Sequence, residues 1–119
     1  MTTLPPTDIR TDRSVEAFTR AVANHLTYTR GAAIQSASPQ DIYVSFCHTV
    51  RDHLMDRWRR TVNAYYENNP KFVYYLSAEY LLGRQLPNNL LAADLEVVAR
   101  EALASVGIDI DELIDLDME

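Results

Sequence analysis

The sequence predicts a mainly helical chain with one short strand over residues 71–77. Three observations carry that reading. Apolar residues recur at spacings of three and four through long segments, the period of one helical face. Helix start and stop residues bracket those segments. Phe72, Val73, Tyr74, Tyr75 and Leu76 form an apolar and aromatic run without alternation, as in a strand buried on both faces of an α/β sheet. No second convincing strand stands elsewhere in the chain. A lone strand leaves its ladder groups unpaired. The chain is therefore expected to be part of something larger, or to borrow a sheet partner from another copy.

The elements follow in order. Residues 1–13 hold two prolines and scattered charges and read as a flexible tail. Ser14 is a good N-cap with Glu16 in the first turn, opening a helix over 14–30. Val15, Phe18, Val22, Leu26 and Thr29 make its apolar face, and Gly31 supplies a left-handed end. Residues 31–38 are a connector of small residues. Ser38-Pro39-Gln40-Asp41 is a strong start signal, with a capping serine, a proline at the first position and an acid in capping-box register. The helix predicted from it runs over 39–68. Ile42, Phe46, Val50, Leu54, Trp58 and Val62 step by four along it, so the stripe winds by ~40° per step and meets different partners along its length.

Asn68, Asn69 and Pro70 end that helix, because a residue before proline is driven out of the α region. After the strand, Gly83 and Pro87 interrupt the pattern. Helices are predicted over 88–93, 95–106 and 110–116. Asp94 is the expected cap of the second of these and Gly107 its end. Asp109 with Glu112 makes a further capping box for the third.

Composition bounds the function. The chain has 119 residues and a net charge of −6, enough for one ordinary domain. The segment Asp109–Glu119 holds six acids and no base, which leaves 11 acids against 11 bases elsewhere. A neutral body with an acidic end argues against nucleic acid as a partner. No apolar run approaches the ~18 residues of a membrane span, and the N-terminus lacks a signal core, so no membrane and a cytoplasmic location are expected. The single cysteine, Cys47, excludes an internal disulfide and reads as an inert buried thiol.

Few residues invite chemistry. Glu79, after the carboxyl end of the predicted strand, is the catalytic candidate, since ligands of open α/β sheets bind there. His48 and His53 are five apart, about 140° around the helix, which is poor for one metal, and no metal site is expected. His48 and Asp52, at i and i+4, suit a structural hydrogen bond. His25 reads as a packed or hydrogen-bonded histidine. Arg57, Arg59 and Arg60 around Trp58 fit either phosphate or a solvated salt-bridge face with Asp52, Asp56 and Glu67. Lys71, the only lysine, stands where solvent is usual.

Several blocks together resemble one family. His48-Thr-Val-Arg-Asp-His53-Leu, Arg57-Trp58-x-Arg60-Thr61, Tyr65-Tyr66-Glu67, Pro70-Lys71 and Tyr74-Tyr75-Leu76-Ser77-x-Glu79-Tyr80-x-x-Gly83-Arg84 closely resemble the N-terminal part of glycogen (α-glucan) phosphorylases. Gly107-Ile-Asp-x-x-Glu112-Leu keeps the same register, and the resemblance covers about residues 15–119. It implies an N-terminal fragment of a much longer, homodimeric enzyme of two-domain glycosyltransferase-B architecture. That enzyme would use pyridoxal phosphate and inorganic phosphate to cleave α-1,4-glucan to glucose 1-phosphate.

The resemblance also implies that Glu79 lies near the catalytic cleft and that the helix over 39–68 takes part in the dimer contact. Tyr66 would match a residue stacking on a nucleotide effector. Asn63 stands where regulated members carry glutamine, and the connector lacks their charge, so Asn63 and Tyr66 are expected to be non-functional equivalents of an effector site in a bacterial-type member. Lys71 does not match the cofactor lysine, so no cofactor residue is expected in this chain and the chain alone is expected to be inactive. The competing reading is a stand-alone helical dimerisation module without catalysis.

Overall fold

The structure is a computed structural model that describes residues 10–80 and 83–117. Five α-helices are present among the described residues: α1 (Val15–Asn24), α2 (Pro39–Asn68), α3 (Leu86–Ala92), α4 (Glu96–Ser105) and α5 (Ile110–Ile114). α1 and α2 pack against each other, α4 lies on α1, and α3 and α5 close the remaining sides of α2 and α4.

Local chemistry sets most helix ends. The Ser14 hydroxyl accepts from the Ala17 amide at 3.2 Å and starts α1. α1 passes into a wider π-helical turn over His25–Thr29, closed by the Arg30 amide on the His25 carbonyl at 3.0 Å. Gly31 then takes φ 66°, a backbone state that costs glycine little. Ser38 and Asp41 form a reciprocal capping box at the start of α2. Two hydrogen bonds to Ser38 and the Arg30 guanidinium hold the Asp41 carboxyl down at about 2. At its far end α2 stops on Asn69, whose φ is 44°.

Two further ends are Schellman motifs. At α3 the Leu95 amide donates to Leu90 O at 2.9 Å and the Asp94 amide to Leu91 O at 3.0 Å, with Asp94 left-handed at φ 55°. At α4 the Ile108 amide donates to Leu103 O at 3.0 Å and Gly107 turns the chain. Asp94 therefore ends α3 and does not cap α4, contrary to its expected role; Leu95 occupies the cap position without a side-chain bond. The link between the helices is too short for one residue to serve both ends. Asp109 does cap α5, but onto the Asp111 amide at 2.9 Å. α3 begins at Leu86, two residues before the sequence expectation, because Pro87 fits the first turn of a helix.

The core gathers Phe18 and Val22 of α1, Phe46 and Val50 of α2, Leu90 of α3, Leu103 of α4 and Ile110 of α5. Phe18 and Phe46 meet edge to face at 6.0 Å. Leu95, with no exposed surface, fills the α3–α4 corner. Only the first half of the α2 stripe joins this core: Phe46 and Val50 are buried and Leu54 half-buried, but Trp58 is 64% exposed.

The expected strand over 71–77 is not formed. Residues 71–76 carry no ladder and no helix, and every side chain from Lys71 to Tyr80 is exposed. Val73 and Leu76 expose 93% and 91% of their surface. The reason is the one the sequence contains: no partner strand is described, so the backbone polar groups stay in water and the apolar side chains go with them. The rings find only local contacts, Tyr65 edge to face with Phe72 at 5.4 Å and Phe72 stacked on Tyr74 at 6.3 Å. Residues 1–9 of the expected tail lie outside the described residues, but Arg10 and Arg13 are tied to the helical body, Arg10 to Asp52 at 3.7 Å.

Two outcomes follow from this division. Phe46→Ala, which empties a fully buried site, is expected to cost about 3–5 kcal/mol in urea unfolding. Brief chymotrypsin treatment is expected to cut within 72–80 well before any site in α1 or α4, read by mass spectrometry of the products.

Candidate functional site

The residues singled out by sequence do not converge. Glu79 is exposed in the open segment, and its amide donates to the Ser77 hydroxyl at 3.1 Å. Asn63 and Tyr66 project from the bare half of α2, with Tyr66 84% exposed. The cavity beside α1 and α2, the one at the α4–α5 turn and the one between α2 and α3 are lined by other residues than Glu79, Asn63, Tyr66 and Lys71. No group of three or more His, Cys, Asp or Glu among the described residues is placed for a metal ion.

The structure instead assembles polar groups between α1 and α2. The π-helical turn aims His25 inward, where Nε2 lies 2.9 Å from the Asp52 carboxylate and Nδ1 2.9 Å from the Thr29 hydroxyl. With the carboxylate accepting, Nε2 carries the proton, and in the neutral ring Nδ1 accepts from Thr29. Asp52 thus pairs with His25 and not with His48, the expected partner; His48 stacks on the His25 ring at 5.4 Å. The signal for this pair was absent from the sequence, since the two residues are 27 positions apart.

The arginine cluster around Trp58 is split by the fold. Arg59 and Arg60 both pair with Asp56, the salt-bridge face rather than a phosphate site. Arg57 reaches the end of α3, donating to Ala92 O at 3.2 Å and Ala93 O at 2.6 Å. Arg13 donates to Ala93 O and Asp94 O, so two guanidiniums neutralise the carbonyl end of α3. At the other end of that helix the Leu86 amide donates to Asp117 at 3.0 Å, and the Tyr43 hydroxyl donates to the same carboxylate at 2.9 Å. Burial and this bond raise the Tyr43 hydroxyl far above the usual phenol range. Cys47, half-buried beside it, is also pushed up by burial, which keeps it a thiol.

His53 of α2 packs toward α1, its ring stacked on Phe18 at 5.8 Å, with Nε2 buried and without a hydrogen-bond partner among the described residues. Burial lowers its pKa, the Arg13 and Arg57 charges lower it further, and Asp52 and Asp56 oppose this.

No family model matches the chain. Glycogen phosphorylase of Synechocystis is 41% identical over 112 residues, covering 94% of this chain and 13% of that protein. The human muscle form of glycogen phosphorylase is 43% identical over 93 residues, 78% of this chain and 11% of that protein. The rat brain form is 41% identical over the same length. The chain is related to the glycogen phosphorylases. It spans about an eighth of the length of these phosphorylases. Among the described residues no helix is long and apolar enough to cross a membrane.

The buried histidine gives a pH dependence. His53 is depressed when folded and has its ordinary value, about 6.5, when unfolded. The unfolded chain then binds the proton more readily, so stability is full above that pH and is lost as pH falls below it. Urea midpoints at neutral and mildly acidic pH are expected to show this loss, and His53→Gln is expected to flatten that part of the slope.

Proposed function

We propose that this chain is part of an α-glucan phosphorylase of glycosyltransferase-B architecture. The reaction is phosphorolysis: the α-1,4 glycosidic bond at C1 breaks, a phosphate oxygen bonds to C1, and the departing glucan oxygen takes a proton. Glucose 1-phosphate and a shortened glucan result. The observation that carries this reading is the likeness to glycogen phosphorylases over 94% of the chain, together with an apolar segment, Phe72–Leu76, held open. A large exposed apolar patch is a surface awaiting cover. The partners are a second copy of the enzyme, α-1,4-glucan and phosphate, in the cytoplasm.

Pyridoxal phosphate is the cofactor of the whole enzyme in this reading. The residues of this chain do not fit it. Lys71, the only lysine, is exposed at the start of the open segment. A Schiff-base lysine needs a desolvated pocket to lower its pKa. Glu79 enters the cleft of the complete enzyme, and Asn63 and Tyr66 are remnants of an effector site without effector.

The purified chain, given maltoheptaose and phosphate, is expected to release no glucose 1-phosphate in a coupled assay. The protein encoded by the uninterrupted reading frame is expected to release it and to carry a borohydride-reducible pyridoxal chromophore. A reading frame that stops after residue 119, with no such chromophore, would instead establish the stand-alone helical module.

A further inference from the structure

A cavity of about 510 Å³ opens beside the α1–α2 contact, lined in part by Arg10, Arg20, Asn24, His25, Tyr28 and Asp52. Ala17 and Ala21 also line it, and their small side chains leave room. Arg20, Asn24 and Tyr28 recur at steps of four and so line up along one side of α1 and its π-helical extension. The one carboxylate in the lining, Asp52, is already shared by His25 at 2.9 Å and Arg10 at 3.7 Å. Arg20 forms no ion pair among the described residues and stands exposed at the mouth. The lining therefore has more positive charge than its carboxylate neutralises, beside amide and hydroxyl donors.

We propose that this groove binds a phosphate oxyanion, either as free phosphate or as a small phosphomonoester. A guanidinium presents parallel N–H donors that match phosphate oxygens, and no hydrogen bond or ion pair among the described residues occupies the Arg20 fork. Arg10 adds a second positive charge, and the Asn24 amide and Tyr28 hydroxyl complete the donors. Asp52 does not repel the ligand, because its charge is spent on His25 and Arg10. The volume falls within the range of small-molecule sites, which leaves space for an organic body on the phosphate. The site does not rest on the phosphorylase reading. It is also distinct from Asn63 and Tyr66, since Asn63 is about 16 Å farther along α2 than Asp52 at the helical rise.

The test is an NMR titration of the 119-residue chain with inorganic phosphate and, separately, phenyl phosphate. Saturable shifts at Arg20, Asn24 and Tyr28 are expected, weakened about tenfold or more in Arg20→Gln, the loss of one charge-assisted fork. Arg59→Gln, already paired with Asp56 elsewhere, is expected to bind as the parent does. Saturation by inorganic phosphate identifies the free ion, and saturation by phenyl phosphate alone identifies a monoester. Absence of saturation by both at millimolar concentration overturns the proposal. So does equal weakening in the two variants, which would mean diffuse charge attraction. Arg20 is exposed, and circular dichroism of Arg20→Gln verifies that the helices persist.

Discussion

An extended backbone with apolar side chains on both faces requires neighbours on both edges and both faces. That requirement governs the molecule. Where it is unmet, at Lys71–Tyr80, the segment runs without a ladder and exposed. Where helices satisfy their own backbone bonds, the chain packs normally. The dividing line passes through α2. Its first half lies against α1, α3 and α5, and its second half carries Trp58, Tyr65 and Tyr66 into solvent. A thirty-residue helix is long enough to belong to two environments, and the winding of its stripe points the two halves in different directions.

The closed half is held by more than apolar contact. α3 has seven residues, too few to be stable alone. Asp117 meets its amide end, and Arg13 and Arg57 meet its carbonyl end, so both poles of the helix face opposite charge. These contacts also bring the first described residues and the last ones onto the same short helix. The acidic end of the sequence thereby becomes a structural tie through Asp117.

Polar pairing inside the helical body follows separation in space. Asp52 has His48 one turn away on its own helix, yet bonds His25 across the helix contact. The π-helical turn places His25 for that contact, and the same turn lines the groove beside Arg20. Asp56, in contrast, is taken up wholly by Arg59 and Arg60 on its own helix. Local pairs of this kind are legible from spacing. Pairs between helices are not.

The sequence by itself determined the helices and most of their ends, because a cap such as Ser38 with Asp41, or a turn such as Gly31 or Gly107, acts within four or five residues. It also determined the relationship to glycogen phosphorylases, which resides in residue order. It could signal that Phe72–Leu76 needs partners, because unalternating apolarity is a local pattern, but a pattern cannot supply them. Only the tertiary structure decided that the segment stays open, that Asp94 ends one helix and starts none, and that His25 claims Asp52. The first turns on a partner strand and the last on which groups come within bonding distance after the helices dock, and no sequence spacing encodes either; Asp94 is decided by the short link, which the end of α3 claims before α4 begins.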